Sequence, residues 1–74
     1  MLKIYSADWC GYCQKAKQLL KETKVTFNEI NIDENPEERD TLKSQGLRTI
    51  PQVFGPNGDH IGGYEDLVEY LNGN

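Results

Sequence analysis

The chain has 74 residues, which allows one domain with a small core. Twelve acidic against eight basic side chains give a formal net charge of −4, which excludes the basic face of a general nucleic-acid binder. No apolar run reaches membrane-spanning length, and two cysteines separated by two residues cannot staple a secreted scaffold.

The opening Met1-Leu2-Lys3-Ile4-Tyr5 lacks the basic head and cleavage site of a signal peptide, so a cytoplasmic location is expected. Leu2, Ile4 and Tyr5 around Lys3 read as a short buried strand, followed by a loop from Ser6 to Trp9. From Gly11 to Thr23 the apolar positions Cys13, Ala16, Leu19 and Leu20 recur at helical spacing, with Lys15, Lys17, Lys21 and Lys24 mostly opposite. Val25 to Ile32 alternates with period two, as a half-buried strand does. Asn35-Pro36-Glu37-Glu38 predicts a helix start, with Asn35 as N-cap, Pro36 first in the helix and Glu38 completing a capping box. That helix runs to about Ser44 and ends at Gly46. Pro51 to Phe54 reads as a strand, Gly55-Pro56-Asn57-Gly58 as a turn, and Asp59 to Gly62 as the returning arm of a hairpin. Gly63 interrupts it, and Leu67, Val68, Tyr70 and Leu71 mark a closing helix.

The order is β-α-β-α-β-β-α in one domain over residues 1–74. The first two strands, joined through a helix, should be parallel with a right-handed crossover, and the last two antiparallel. The fold class is α/β: a mixed four-stranded sheet flanked by three helices, the arrangement called the thioredoxin fold.

Cys10-Gly11-Tyr12-Cys13 lies where a loop enters a helix. Unpaired N–H groups and the positive end of the helix dipole there favour a thiolate at Cys10. Cys13, one turn on, faces the same side and lies deeper, which makes Cys10 the exposed nucleophile and Cys13 the resolving thiol. A disulfide across this offset suits exchange more than stability. Zinc needs four ligands, and the rest of the chain offers a single histidine, His60, and no second cysteine pair, so no metal ligand is assigned. His60 is read as structural or exposed, without a catalytic role.

Pro51 is tolerated at the start of a strand, yet a cis bond there would free the Ile50 carbonyl and N–H to pair with an extended peptide. Gly62-Gly63 permits a tight turn ahead of a helix N-terminus that favours an anion. The same residues also fit a plain strand-to-helix turn with Glu65 or Asp66 as a helix-start acid.

Taken together, Cys10-Gly11-Tyr12-Cys13, Arg48-Thr49-Ile50-Pro51-Gln52-Val53-Phe54 and His60-Ile61-Gly62-Gly63-Tyr64-Glu65-Asp66-Leu67 resemble a glutaredoxin over essentially the whole chain. The run from Pro51 to Leu71 is especially similar to the small glutaredoxins of phages. The resemblance implies a monomeric, glutathione-dependent thiol–disulfide oxidoreductase with no tightly bound cofactor and glutathione as co-substrate. Its clients would be disulfide-bearing proteins such as ribonucleotide reductase. Cys10 would take up glutathione as a mixed disulfide, and Cys13 would close the intramolecular disulfide. Tyr12 would flank the glutathione sulfur, while Thr49, Ile50 and a cis Pro51 would line its cysteinyl part. Arg48 would meet the glycyl carboxylate. The backbone of Gly63 and Glu65, with the Asp66 side chain, would hold the γ-glutamyl end.

Three departures from the family pattern open alternatives. Ala7 stands where glutaredoxins commonly carry lysine, and Trp9 is more typical of thioredoxins; both point to a donor served by thioredoxin reductase. Gly11 replaces the usual proline, a feature shared with glutaredoxins that carry a [2Fe–2S] cluster in a glutathione-bridged dimer.

Overall fold

The alternation in Leu2-Lys3-Ile4-Tyr5 sets the layers of the molecule. In the computed structural model, which describes residues 1–73, the elements are β1 (Leu2–Ser6), α1 (Gly11–Glu22), β2 (Phe27–Asn31), α2 (Pro36–Ser44), β3 (Gln52–Phe54), β4 (His60–Gly62) and α3 (Tyr64–Asn72). Leu2 and Ile4 join Val53 of β3 in a buried cluster with Ala16 and Leu20 of α1 and Leu67 of α3. Tyr5, out of phase by one, joins Ala7, Cys10, Cys13, Ile32 and Leu42 of α2 in a second cluster. Ile4, Leu20, Val53 and Leu67 have no exposed surface. Each such aliphatic side chain contributes roughly 1.5–3 kcal/mol through burial.

Strand order in the sheet is β2-β1-β3-β4. β1 runs parallel to β2 and β3 antiparallel to β4, as the element order predicts, and β3 also pairs antiparallel with β1. The registers Tyr5↔Gln52 and Val53↔Gly62 have a functional consequence. They bring the exit of β1, the entry of β3 and the exit of β4 to one end of the sheet. Cysteine loop, Ile50–Pro51 and Gly62–Gly63 therefore meet there, though they are far apart in sequence.

Both α1 and α2 end in the same hydrogen-bonded turn, and it explains where the second strand begins. After α1, Val25 N–H donates to Leu20 O at 3.0 Å and Lys24 N–H to Lys21 O at 3.1 Å, with Lys24 at φ 59°. After α2, Leu47 N–H donates to Leu42 O at 2.9 Å and Gly46 N–H to Lys43 O at 2.9 Å, with Gly46 at φ +80°. These are Schellman terminations, satisfying carbonyls that the helix leaves open. The first one takes up the Val25 N–H, so β2 starts at Phe27 rather than Val25. α3 starts at Tyr64, a turn earlier than its apolar periodicity indicated.

The predicted capping box at Asn35 does not form. Asn35 Nδ2 donates instead to Asn31 O at 2.9 Å, and Glu38 Oε1 accepts from the Tyr5 hydroxyl at 3.3 Å. Asn35 is engaged by the preceding turn and Glu38 by a neighbour distant in the chain, so neither forms the box. On the opposite side, Glu29 Oε2 accepts from Lys17 Nζ at 2.7 Å and from Ser6 Oγ at 2.8 Å. The Lys17 hydrogen bond is the main cause that holds the Glu29 carboxyl below its ordinary range. This contact ties α1 to both strands beside it.

Candidate active site

Cys10 is the N-cap of α1, extended at φ −93° and ψ 111°. Its sulfur takes the place a serine or aspartate oxygen often fills, accepting from the Cys13 N–H at 3.2 Å. The thiol also donates to Ile50 O at 3.7 Å. One sulfur thus joins the helix start to the segment before β3. Cys10 is only 8 % exposed, so the expectation of an exposed nucleophile is corrected: the Ile50 segment packs over it. Cys13 is fully buried, so the relative depth of the two thiols is as expected. Both are free cysteines in this structure.

Burial, followed by the Cys10 sulfur beside it, pushes the Cys13 thiol up from 9.0 to about 12. The folded protein therefore keeps a proton that the unfolded chain releases above pH 9.0. Stability gained from this group is complete below that pH and is lost as pH rises toward about 12. Urea unfolding of the reduced protein should weaken with alkalinity more steeply than that of Cys13→Ala. Parallel pH curves for the two proteins would contradict this.

The Ile50–Pro51 bond is cis. Beside it runs a groove of about 410 Å³ lined by Tyr12, Thr49, Ile50, Pro51, Gly63, Tyr64, Glu65 and Asp66. Seven of these were singled out from the sequence. Tyr64 is the eighth, given no binding role from the sequence; its ring lies 5.9 Å from the Tyr12 ring and helps wall the groove. Its place directly after Gly63, at the start of α3, was the available signal. Tyr12 is 58 % exposed, with Lys15 Nζ 5.1 Å from its ring centroid, so its aromatic surface faces the solvent side of the groove.

At the far end, Gly62 has φ +128°, and an added Cβ would stand 2.7 Å from Asp66 Cγ. Only glycine lets Asp66 fold back, and Asp66 Oδ2 then accepts from the Gly63 N–H at 3.2 Å. The Gly63 N–H is thereby engaged by Asp66, and Gly63 itself lines the groove. Glu65 and Asp66 stand in the first turn of α3, where backbone N–H groups have no intrahelical partner.

Arg48 does not reach this groove. It lies past Thr49 in an adjoining hollow of about 220 Å³, together with Trp9, Arg39, Lys43 and Ile50. His60 faces Gln52, with Nε2 2.7 Å from Gln52 Oε1, and packs on the Phe54 ring at 5.0 Å. Among the described residues, no group of three or more His, Cys, Asp or Glu side chains gathers to hold a metal.

The family model described as Glutaredoxin matches residues 2–61. The glutaredoxin of Enterobacteria phage T4 is 43% identical over 86 aligned positions, covering 96% of this chain and 99% of that protein. A buckwheat glutaredoxin–glutathione complex superposes with a TM-score of 0.79 at 30% identity, covering 97% of this chain and 69% of that one. The glutaredoxin-like NrdH-redoxin of Escherichia coli, described as having a thioredoxin-like activity profile, superposes with a TM-score of 0.83 at 27% identity, covering 96% and 90% of the two chains.

Proposed function

The chain belongs to the glutaredoxin family and is a thiol–disulfide oxidoreductase with a Cys10–Cys13 pair, and we propose that glutathione is its electron source. The observation that carries this reading is the groove from Tyr12 to Asp66 alongside the segment that covers Cys10. Its chemistry suits an extended γ-glutamyl peptide. The Ile50 N–H makes no hydrogen bond within the described residues and is available to the cysteinyl backbone. The N–H groups of Glu65 and Asp66 suit the γ-glutamyl carboxylate, and the remaining Asp66 oxygen suits its ammonium. Tyr12 shields the sulfur. The glycyl end would leave the groove past Ile50, in the direction of Arg48.

In the proposed cycle the Cys10 thiolate attacks one sulfur of a client disulfide, forming a mixed disulfide and releasing one client thiolate. Cys13 then attacks the Cys10 sulfur, its thiol proton passing to the departing second client sulfur, and the Cys10–Cys13 disulfide remains. Two electrons have passed to the client. One glutathione thiolate opens this disulfide at Cys10 and frees Cys13. A second attacks the bound glutathione sulfur, so glutathione disulfide leaves and the dithiol is restored. A protein such as ribonucleotide reductase is the kind of client we envisage, met by a monomer in a reducing compartment such as the cytoplasm.

Two features favour thioredoxin reductase as donor instead. Ala7 is fully buried at the position where the family commonly carries lysine, and the NrdH-redoxin neighbour has a thioredoxin-like profile. An iron–sulfur role would need a second chain, since one chain offers only two thiols. Reduction of a small glutathione mixed disulfide, coupled in turn to glutathione with glutathione reductase and to thioredoxin reductase, separates the electron sources. We expect turnover with glutathione and little with the flavoenzyme; the opposite result would overturn the proposal.

A further inference from the structure

We infer that the hollow walled by Trp9, Arg39, Lys43 and Arg48 seats acidic residues flanking the cysteine of a protein client, a step that rests on Cys10 being the attacking thiol. The hollow adjoins the groove described above, and Ile50 lines both. Ile50 O is also the acceptor of the Cys10 thiol, so a chain in the hollow passes next to the reacting sulfur.

The floor is apolar, with Leu42 buried. The rim is cationic. Three of the chain's eight basic side chains stand around one hollow of a molecule whose net charge is −4. None of the three makes a hydrogen bond or ion pair within the described residues, where Lys17–Glu29 is the salt bridge. Arg39 and Lys43 sit four residues apart on α2 and so share one face. Trp9 is 70 % exposed, and its Nε1 donates to Asp33 Oδ2 at 2.8 Å. That bond fixes the indole as a wall and engages the Asp33 carboxylate.

A single glycyl carboxylate, directed at Arg48, leaves Arg39 and Lys43 without an assigned anion. Carboxylates from an extended polypeptide complete the charge match, while its apolar atoms cover Leu42 and its backbone passes Ile50. The chemistry at Cys10 is unchanged; the hollow raises the rate at which the right disulfide arrives.

Two synthetic peptides, each closed by an intramolecular disulfide and flanked by aspartates or by serines, test this without glutathione. Pre-reduced protein is mixed with each in single-turnover stopped flow. The acidic peptide should be reduced about tenfold faster at low salt, and this advantage should fall toward unity at about 0.5 M salt. Combining Arg39→Gln with Lys43→Gln should bring the acidic peptide down to the neutral rate and leave the neutral peptide unchanged. Equal rates for the two peptides, or an advantage that survives in the double variant, would overturn the inference. Glutathione-coupled turnover of a small disulfide reports on the electron source separately, so its failure would leave the ranking of the peptides intact.

Discussion

Cys10→Ser should bring disulfide reduction down to the uncatalysed background, a loss of at least ~10³-fold, with the fold retained. A serine hydroxyl is not a thiolate and cannot form the mixed disulfide. It is, however, a good helix N-cap, and it can accept from the Cys13 N–H as the sulfur does now. Loss of activity is thereby separated from loss of structure, which circular dichroism and a urea titration would verify. Cys13→Ser should behave differently. Its hydroxyl enters a fully buried site and costs about 1–3 kcal/mol of stability if no partner is found. Turnover of glutathione mixed disulfides should persist, since that reaction needs one thiol, while reduction of protein disulfides should be lost. Equal loss of both reactions in both variants would refute the division of roles between the two thiols.

Gly62→Ala should be the second severe substitution. At φ +128° an L side chain is strained, and the new methyl would collide with Asp66. The strain is on the order of 1–3 kcal/mol. The collision has its own consequence: Asp66 must swing away and release the Gly63 N–H. KM for glutathione should therefore rise several-fold at nearly constant kcat. Gly58→Ala is the control, because Gly58 has φ +86° but open space around it. It should lower the melting temperature without touching glutathione turnover. If both variants shifted KM alike, the seat of Asp66 would not matter for binding.

Much of this arrangement was legible in the residues because short-range rules carried it. A period-two run gave β2, the Gly55-Pro56-Asn57-Gly58 turn gave the hairpin, Gly46 marked the end of α2, and Cys10-Gly11-Tyr12-Cys13 marked a helix start. What escaped depended on which of several competing partners, near or distant in the chain, each group took. Asn35 and Glu38 had the right spacing for a box, but Asn31 and Tyr5 claimed them. Ile50 covers Cys10 because β1 and β3 pair antiparallel, which no local pattern announces. Arg48 stands two residues from Ile50, yet the chain turns between them and sends it to the other hollow. Val25 looked like strand until the Schellman turn at Lys24 took its N–H.

The cap on α1 has a kinetic corollary. The sulfur that closes the helix and the thiol placed to displace a client from it belong to one helical turn, joined by the Cys13 N–H contact. A client held on Cys10 would then face a rival thiol at an effective concentration that no thiol in solution matches. Commitment is built in: once captured, a client leaves reduced before it can diffuse away bound. Removing the Cys13 thiol would leave capture intact and release to solution thiols alone, turning a reductant into a covalent trap for its clients.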